Sequence, residues 1–231
     1  MNLNLVFEAW PPLNPQHIQL YSLNTPNGIK VALALEELGL PYEPHLIDIM
    51  KGDQFTPAYK ELSPNSKIPT ILDPNGPGGQ PITLMESVAI LIYLAQKTGK
   101  LMPQDTRGYN EHLQWLLFQV GHLGPMFGQF GHFFKFAKET CKDPYPLNRY
   151  TNETKRLLQV LEDRIDQSPY LMGKDYSMVD IASFPWVECL TGFYGGKDHL
   201  EMDRYPKVMA WLNRCMARPA FQKAKSVCSR A

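Results

Sequence analysis

The spacing of hydrophobic positions changes near residue 105, and this change divides the chain into two regions. In the first region, short apolar runs typical of strands alternate with segments in which apolar residues recur every three or four positions, as on one face of a helix. This pattern predicts strands at 18–23, 42–49, 69–73 and 82–84, and helices at 29–38, 57–62 and 86–98. Gly39 and Gly99 follow two of these helices, at the position where helices commonly end.

The order of these elements, β-α-β followed by β-β-α, predicts a thioredoxin-like domain over residues 18–101. The segment before it contains Pro11, Pro12 and Pro15, so we expect an irregular arm at 1–17. No residue pattern in that arm indicates a catalytic or binding role.

Beyond residue 105, strand signals nearly vanish and long helical periodicities predict an all-helical domain over 106–231. We expect a kink or break at Gly121 or at Gly124-Pro125 in the first of its helices. The predicted helices are 106–138, 146–167, 178–190, 205–217 and 219–226. The predicted fold class is therefore α/β plus all-α, a thioredoxin-like N-terminal domain followed by an all-helical C-terminal domain.

The segment 176–181 carries a complete signal for the start of a helix. Ser177 is a natural N-cap, and Asp180 three residues later can accept from its amide, as in a capping box. Tyr176 and Ile181 occupy the positions of a hydrophobic staple. This signal supports the fold and indicates no chemistry.

Composition excludes several classes of function. The 231 residues include 23 basic and 23 acidic side chains, so no basic field is available for nucleic acid or anionic lipid. Residues 1–15 lack the pattern of a signal peptide, and the longest apolar run, 88–95, is too short to span a bilayer. We therefore expect a cytoplasmic protein with neither a membrane nor a nucleic-acid partner. The cysteines show no CxxC pair and no metal-ligand spacing, which predicts reduced thiols and no bound metal; they are Cys141, Cys189, Cys215 and Cys228.

The turn at 24–28, between the first strand and the first helix, is a candidate ligand site. A helix N-terminus presents unpaired amides and a partial positive charge, which favour an anion such as a thiolate. Thr25 and Asn27 could add side-chain donors there. The alternative is structural, with Thr25 as the N-cap, Pro26 as the first helical residue and Asn27 as a polar residue without a role.

Two further segments have the chemistry to bind a peptide-like ligand. If the bond between Ile68 and Pro69 is cis, the backbone of Ile68 faces outward and can pair with an extended peptide; otherwise Pro69 only opens a strand. Glu86 and Ser87 open an apolar helix directly after a strand. There Ser87 can meet a carboxylate while Glu86 meets an ammonium, which suits the head group of an α-amino acid; the alternative is a plain capping pair.

Taken together, these segments resemble the glutathione transferase family, and the resemblance extends from residue 18 to residue 221. The motifs 67–70 (KIPT) and 86–87 (ES) and the cap at 177–180 (SMVD) occur in family order with family spacing. Five further motifs are similar to the nu class, the bacterial relatives of a fungal nitrogen regulator: 25–28 (TPNG), 52–55 (GDQF), 63–65 (SPN), 113–116 (LQWL) and 123–126 (LGPM).

The resemblance implies a glutathione-binding site, with glutathione as a cosubstrate. In such proteins the residue before a cis-proline, here Ile68 before Pro69, pairs with the cysteinyl backbone of glutathione. Glu86 and Ser87 correspond to the residues that hold the γ-glutamyl group.

The same resemblance implies further roles around the sulfur. Thr25 and Asn27 lie near it as the catalytic residues, and Gln54 and Lys67 line the groove. Arg149 is the best match to a helical-domain arginine that reaches a second glutathione or a disulfide. The family also implies a homodimer.

The chain departs from other branches of the family at the sulfur-activating position. The tyrosine, cysteine or serine of those branches would fall near Ser22, at Thr25 or near Asn24, and none of these positions carries the residue of its class. Tyr21 and Ser22 are nearby hydroxyls, but Tyr21 is expected in a strand. Because glutathione brings its own thiol, disulfide exchange can still run through a mixed disulfide. We therefore predict a glutathione-dependent disulfide-bond oxidoreductase that reduces small disulfides, with transferase or peroxidase side activity.

Two alternatives stay open at this point. A conjugating transferase would transfer glutathione to an electrophile, with an acceptor site built from aromatic residues that could equally be core: Trp115, Phe118, Phe127, Phe130 and Phe133. A non-catalytic glutathione-binding regulatory module, like the nitrogen regulator, would instead call for a long arm rich in Asn and Gln. The arm at 1–17 is short and rich in proline, which argues against that module.

Overall fold

The computed structural model describes residues 2–230 and forms two compact units. The first unit contains the chain up to Lys100 together with the segment from Pro219 onward. The second unit is the segment Leu101–Arg218.

The first unit is a four-stranded mixed sheet with helices. Its strands occur in the order β2-β1-β3-β4, with β2 parallel to β1 and with β3 antiparallel to both β1 and β4. Its elements are α1 (Leu3–Ala9), β1 (Ile18–Ser22), α2 (Pro26–Leu38), β2 (Tyr42–Leu46), α3 (Pro57–Leu62), β3 (Thr70–Asp73), β4 (Ile82–Met85), α4 (Ser87–Thr98) and α10 (Pro219–Ala224). This arrangement confirms the predicted thioredoxin-like fold of the N-terminal region.

Local sequence signals explain where α2 begins and ends. The Thr25 side chain caps it, Pro26 is its first residue, and Gly39 closes it at φ 65°. Gly28 is required for close packing of this helix against the end of β1, because a Cβ at that position would lie 1.9 Å from the carbonyl oxygen of Leu23.

The expected irregular arm contains a helix, α1, which corrects the sequence interpretation. Val6 on this helix is fully buried in a cluster with Tyr21 and Tyr59, and Trp10 lies edge-on to both rings. The apolar residues at 3, 6, 7 and 10 have helical spacing, whereas the prolines begin only at residue 11, where they end the helix rather than prevent it.

The segment from Pro219 onward belongs with the first unit, whereas its helical periodicity predicts a place in the helical domain. Helix α10 packs against α2, where Lys223 Nζ lies 3.6 Å from a carboxylate oxygen of Glu36. Beyond it, the Cys228 carbonyl accepts a hydrogen bond of 3.0 Å from the backbone N–H of Asn24. Helical periodicity cannot reveal this placement, because it depends on contacts between residues about 200 positions apart.

The second unit is all-helical, as predicted. Its helices are α5 (Thr106–Phe118), α6 (Gly124–Gly131), α7 (Pro144–Ile165), α8 (Met178–Thr191) and α9 (Pro206–Met216). The expected break near Gly121 and Gly124 is instead a π-helical turn, Gln119–Leu123, that leads directly into α6. Pro125 has no N–H to donate to the preceding turn of a regular α-helix, and the wider π-helical turn accommodates this missing hydrogen bond.

The capping box at the start of α8 is confirmed. The buried carboxylate of Asp180 accepts from the amide and hydroxyl of Ser177 at 2.9 and 3.0 Å. It also accepts from the amide of Leu171 at 2.9 Å and from the indole N–H of Trp211 at 2.8 Å. Asp180 therefore joins three segments of the second unit. Between residues 2 and 230, no helix combines the length and the apolar character needed to cross a membrane.

Candidate active site

Three connecting segments of the first unit lie at the same end of its sheet, the sheet edge. The strand register aligns Tyr21 of β1, Thr70 of β3 and Met85 of β4 side by side. Strands β1 and β4 run toward this end, whereas β3 begins there. The turn after β1, the Ile68–Pro69 segment before β3 and the Glu86–Ser87 segment after β4 therefore share one edge of the sheet.

Thr25 is the N-cap of α2, as the structural alternative predicted. Its side-chain oxygen accepts a hydrogen bond of 3.2 Å from the backbone N–H of Gly28. A hydroxyl that accepts one bond can still donate its own proton. The capping role is therefore compatible with a second role at the end of this helix, where the partial positive charge favours an anion.

Asn27 occupies the first turn of α2 and is half-buried. Its side-chain oxygen Oδ1 accepts a hydrogen bond of 2.8 Å from Nζ of Lys30. Lys30 is almost fully buried and is not among the site residues that the sequence predicts. Burial lowers its pKa to about 7, while the negative charge of Glu86 acts in the opposite direction. The signal that could have found it is the spacing of three residues between Asn27 and Lys30, which places both side chains on one face of a helix.

The segment before β3 is held by two hydroxyl groups. The carbonyl oxygen of Lys67 accepts from the Tyr59 hydroxyl at 2.9 Å and from the Ser63 hydroxyl at 3.1 Å. The Ile68–Pro69 bond is cis, as the family resemblance implied, and Pro69 is buried. The Lys67 side chain is exposed, and Ile68 packs partly against the core cluster that contains Tyr59.

Glu86 and Ser87 form the start of α4, with Ser87 as its first residue. The backbone of Glu86 lies at φ 70° and ψ 109°, a conformation that costs a non-glycine residue roughly 1–3 kcal/mol. Its side chain is exposed and makes no capping bond to the helix. Such geometry is common where a side chain must be aimed at a ligand.

Gln54 lies in a short 3₁₀-helix, Asp53–Phe55, that follows β2. The C-terminal residue of β2, Leu46, pairs with Ser22, so this strand also ends at the same edge of the sheet. Gln54 Nε2 donates to the carbonyl oxygen of Ile49 at 3.2 Å. Its Oε1 is buried and has no hydrogen-bond partner within residues 2–230, so a donor from a ligand would satisfy it.

Neither hydroxyl at the end of β1 is placed to activate a thiol. Tyr21 is fully buried, stacks on His45 with ring centroids 4.7 Å apart, and has a pKa raised by burial. The Ser22 hydroxyl is buried as well and donates to the carbonyl oxygen of Leu23 at 3.4 Å. Tyr21 is therefore a core residue of β1, as expected.

Between residues 2 and 230 the thiols form no disulfide, and most of them are buried. Cys189, Cys215 and Cys228 are buried, and Cys141 is partly exposed. Burial raises the pKa of the Cys228 thiol, in the first unit, to about 12. A thiol with such a pKa carries almost no thiolate at neutral pH.

Arg149 and the aromatic candidates lie in the second unit. Arg149 is on α7, about half exposed, with its guanidinium 3.8 Å from a carboxylate oxygen of Glu153. Phe127 and Phe130 are fully buried and belong to the core of that unit. Phe133 stacks on Tyr150 with ring centroids 5.6 Å apart. The role assigned to Arg149 stays a prediction.

The arrangement at the sheet edge combines hydrogen-bond donors with charged groups of both signs. The start of α2 offers the Thr25 hydroxyl and the side-chain amide of Asn27, two donors that can stabilise an anion at the positive end of the helix. Ile68 offers backbone groups for an extended peptide, and Glu86 offers a carboxylate for an ammonium. The site therefore suits a small thiol peptide with a free α-amino acid head group.

Comparison with known proteins places the chain in a family. The model of the glutathione S-transferase N-terminal domain matches residues 25–97, and that of the glutathione S-transferase C-terminal domain matches residues 123–219. The chain is 46% identical to the disulfide-bond oxidoreductase YfcG of Escherichia coli, over 90% of this chain and 94% of that protein. It is 39% identical to the disulfide-bond oxidoreductase YghU of the same organism, over 94% of this chain and 76% of that protein.

Solved structures agree with this assignment. A glutathione transferase from Burkholderia graminis, with two glutathione molecules bound per subunit, superposes with a TM-score of 0.95 at 50% identity and covers 97% of this chain and 94% of its own. A glutathione transferase from Pseudomonas putida, with one glutathione disulfide bound per subunit, superposes with a TM-score of 0.94 at 46% identity and covers 98% of both chains. The chain belongs to the glutathione S-transferase family.

Proposed function

We propose that this chain is a glutathione-dependent disulfide-bond oxidoreductase, which uses bound glutathione as the attacking thiol and reduces small disulfides. One observation carries the proposal: the sheet edge gathers donors suited to a thiolate, whereas the cysteine of the same unit, Cys228, is buried and has a raised pKa. The ligand must therefore supply the sulfur. The names of the two Escherichia coli relatives and the ligands of the two solved structures support this choice.

The backbone of glutathione would bind between two of the segments at the sheet edge. Ile68, before the cis-proline Pro69, would pair with the cysteinyl residue as an added strand does. Glu86 would accept from the γ-glutamyl ammonium, and Ser87 with the first amides of α4 would bind its carboxylate.

The reacting sulfur would lie at the start of α2. The Thr25 hydroxyl and the Asn27 amide would donate to the thiolate and thus lower the pKa of the glutathione thiol. Gln54 and Lys67 would line the groove, with the buried Oε1 of Gln54 as an acceptor for a glutathione N–H. Arg149 would bind a second glutathione or the disulfide.

The reaction would consist of two exchanges. The thiolate of the first glutathione attacks one sulfur of the substrate disulfide, the S–S bond breaks, and the released thiolate takes up a proton. A second glutathione thiolate then attacks the mixed disulfide at the glutathione sulfur and releases the other half of the substrate. In total, two glutathiones are oxidised to one glutathione disulfide, and one substrate disulfide is reduced to two thiols. The protein would act by alignment and by stabilisation of negative charge.

Two further parts of the proposal concern setting and assembly. The reaction needs a supply of reduced glutathione, which fits a reducing compartment such as the cytoplasm. Cysteines that form no disulfide between residues 2 and 230 fit the same compartment. The family relationship supports a homodimer. Sedimentation of the purified chain, with the mass of two chains as the expected result, tests the assembly.

The decisive assay measures reduction of hydroxyethyl disulfide by glutathione, with glutathione disulfide formation followed through glutathione reductase. We expect robust turnover, a large loss in Thr25→Ala and Asn27→Ala, and no loss in Cys141→Ser, since no protein thiol takes part. Efficient conjugation of chlorodinitrobenzene without disulfide reduction would instead identify a conjugating transferase. Tight glutathione binding without either activity would identify a binding module.

A further inference from the structure

Lys30 is a buried lysine at the start of α2 to which the proposed mechanism assigns no role. Its side chain is 1% exposed, and its ammonium nitrogen lies 2.8 Å from Oδ1 of Asn27. The carboxylate of Glu86 is near enough to act on it, since the charge of Glu86 favours the protonated form of Lys30. An ammonium removed from water needs such partners. Lys30 therefore bonds to the segment assigned to the sulfur and lies in the electrostatic field of the segment assigned to the head group of glutathione.

We propose that Lys30 is a positioning residue of this site: its ammonium holds the Asn27 carboxamide by the oxygen, so that the amide N–H groups point away from Lys30 and can donate to the glutathione sulfur. The inference deepens the proposed function and rests on it, because that function places Asn27 beside the sulfur. Lys30 itself touches Asn27 and acts through it.

The chemistry of the carboxamide explains why the orientation matters. One side of the group is a carbonyl acceptor and the other is a double donor, and rotation by half a turn exchanges them. An ammonium can only donate, so it pairs with Oδ1 and excludes the orientation that would bring two donors together. A thiolate accepts from the N–H side and is repelled by the carbonyl oxygen. Lys30 therefore selects the orientation of Asn27 that stabilises the thiolate.

The charge of Glu86 helps to maintain this arrangement. Burial alone favours the neutral amine at Lys30, and the nearby carboxylate opposes that effect. The two effects together leave the pKa at about 7, so the ammonium form holds the carboxamide at and below neutral pH. A neutral amine, present at higher pH, can accept as well as donate and no longer forces the carboxamide into one orientation. Glu86 would thus have two tasks, one toward the ligand ammonium and one toward Lys30.

A mutant cycle on the full-length protein tests the inference. The variants are Lys30→Met, Asn27→Ala and the double variant, with Lys30→Arg as the conservative change. Lys97→Met is the matched control, because Lys97 lies in the same unit and its ammonium pairs with Asp73 at the opposite end of β3. Two readouts are needed: turnover with hydroxyethyl disulfide, and the ultraviolet absorbance of the thiolate of bound glutathione.

We expect kcat/KM of Lys30→Met to fall roughly tenfold while the KM for glutathione changes less than about twofold, since the loss concerns the sulfur and not the backbone of the ligand. The fraction of bound glutathione present as thiolate at neutral pH should fall in parallel. The double variant should resemble Asn27→Ala, and Lys30→Arg should recover part of the activity. Lys97→Met should behave like the wild type.

Two results would overturn the positioning role: wild-type behaviour of Lys30→Met, or losses from Lys30 and Asn27 that multiply in the double variant. A wild-type protein that binds glutathione but shows no turnover would refute the proposed function alone, since the thiolate absorbance still compares the variants. Absence of glutathione binding by the wild type would overturn both.

Discussion

Two almost fully buried ionisable side chains, Lys30 in the first unit and Asp180 in the second, differ in what their partners do. Asp180 of the second unit accepts four hydrogen bonds at 2.8 to 3.0 Å, from Leu171, Ser177 and Trp211. Lys30 of the first unit pairs with Asn27, in a turn proposed to contact the ligand, and lies in the field of Glu86.

The difference shows that burial of a charge does not by itself mark a functional residue. The carboxylate of Asp180 is surrounded by donors of its own unit, so its hydrogen bonds stabilise the folded state. The partners of Lys30 belong to the ligand-facing segments, so the interactions of Lys30 can orient these segments. We therefore expect substitution of Asp180 to change stability, and substitution of Lys30 to change catalysis and the pH dependence of stability.

The largest effect is expected for Asp180→Ala. The change leaves the donors of Ser177, Leu171 and Trp211 buried without an acceptor, which should lower the free energy of unfolding by about 3–5 kcal/mol. Urea unfolding followed by tryptophan fluorescence measures this loss, because Trp211 reports on the same site. Turnover per folded molecule should stay at the wild-type level.

The control for this prediction is Ser177→Ala, which removes the capping hydroxyl but keeps the carboxylate. It should cost about 1 kcal/mol. If Asp180→Ala instead kept its stability and lost turnover, the contrast between a folding charge and a functional charge would be wrong.

The next effect concerns pH and Lys30. The pKa of Lys30 in the folded protein, about 7, is below its ordinary value of 10.5, so between these values the unfolded chain binds more protons than the folded one. Stability from this group therefore rises with pH across that window, by up to about 1.4 kcal/mol per pH unit. Relative to Lys30→Met, the wild type should gain about 2 kcal/mol in unfolding free energy between pH 7 and pH 9.

Urea unfolding of both proteins at a series of pH values measures this difference, and comparison with the variant cancels the other titrating groups. Parallel curves for the two proteins would mean that Lys30 keeps an ordinary pKa. In that case the partners of Lys30 would fully compensate the burial of its charge.

A smaller effect is expected for Tyr59→Phe, which tests a neutral contact of the same site. The hydroxyl of Tyr59 donates to the carbonyl oxygen of Lys67, directly before Ile68. Its loss should cost about 1 kcal/mol of stability and raise the KM for glutathione several-fold, with no change in pH dependence. Tyr93→Phe is the matched control, since its hydroxyl donates to Asp73 at the far end of β3. An altered pH profile in Tyr59→Phe would contradict the separation of neutral and charged contacts.

Sequence patterns could predict features that depend on neighbouring residues. The cap at Ser177 with Asp180, the start of α2 at Thr25 and its end at Gly39 follow from chemistry within a few positions. Helix α1 could also have been predicted from the sequence, because its apolar residues have helical spacing. Only the prolines that follow it favoured an irregular arm.

Features that depend on distant contacts could not be predicted in this way. The indole N–H of Trp211 reaches Asp180 from 31 residues away, and the segment around Cys228 joins the first unit from the far end of the sequence. Lys30 has helical spacing from Asn27, but its burial and its proximity to Glu86 depend on the fold. The family resemblance implied glutathione binding at Ile68 and Glu86. The comparisons confirm the family, and the roles of these two residues stay predictions.

The smallest effect is expected for Asn24→Ala, which tests how far the site depends on exposed, neutral contacts with the C-terminal segment. The side-chain amide of Asn24 donates to the carbonyl oxygen of Lys225 at 2.5 Å and to the hydroxyl of Ser229 at 3.1 Å. The backbone hydrogen bond from Asn24 to Cys228 is unaffected by the change, so Thr25 should keep its position. We expect the free energy of unfolding to fall by about 0.5–1 kcal/mol and kcat/KM to fall about twofold. Asn75→Ala, at the opposite end of the sheet, is the control and should leave kcat/KM unchanged. A tenfold fall in Asn24→Ala would mean that the C-terminal segment orients the turn as strongly as Lys30 does, and the distinction drawn from the two buried charges would then not describe this site.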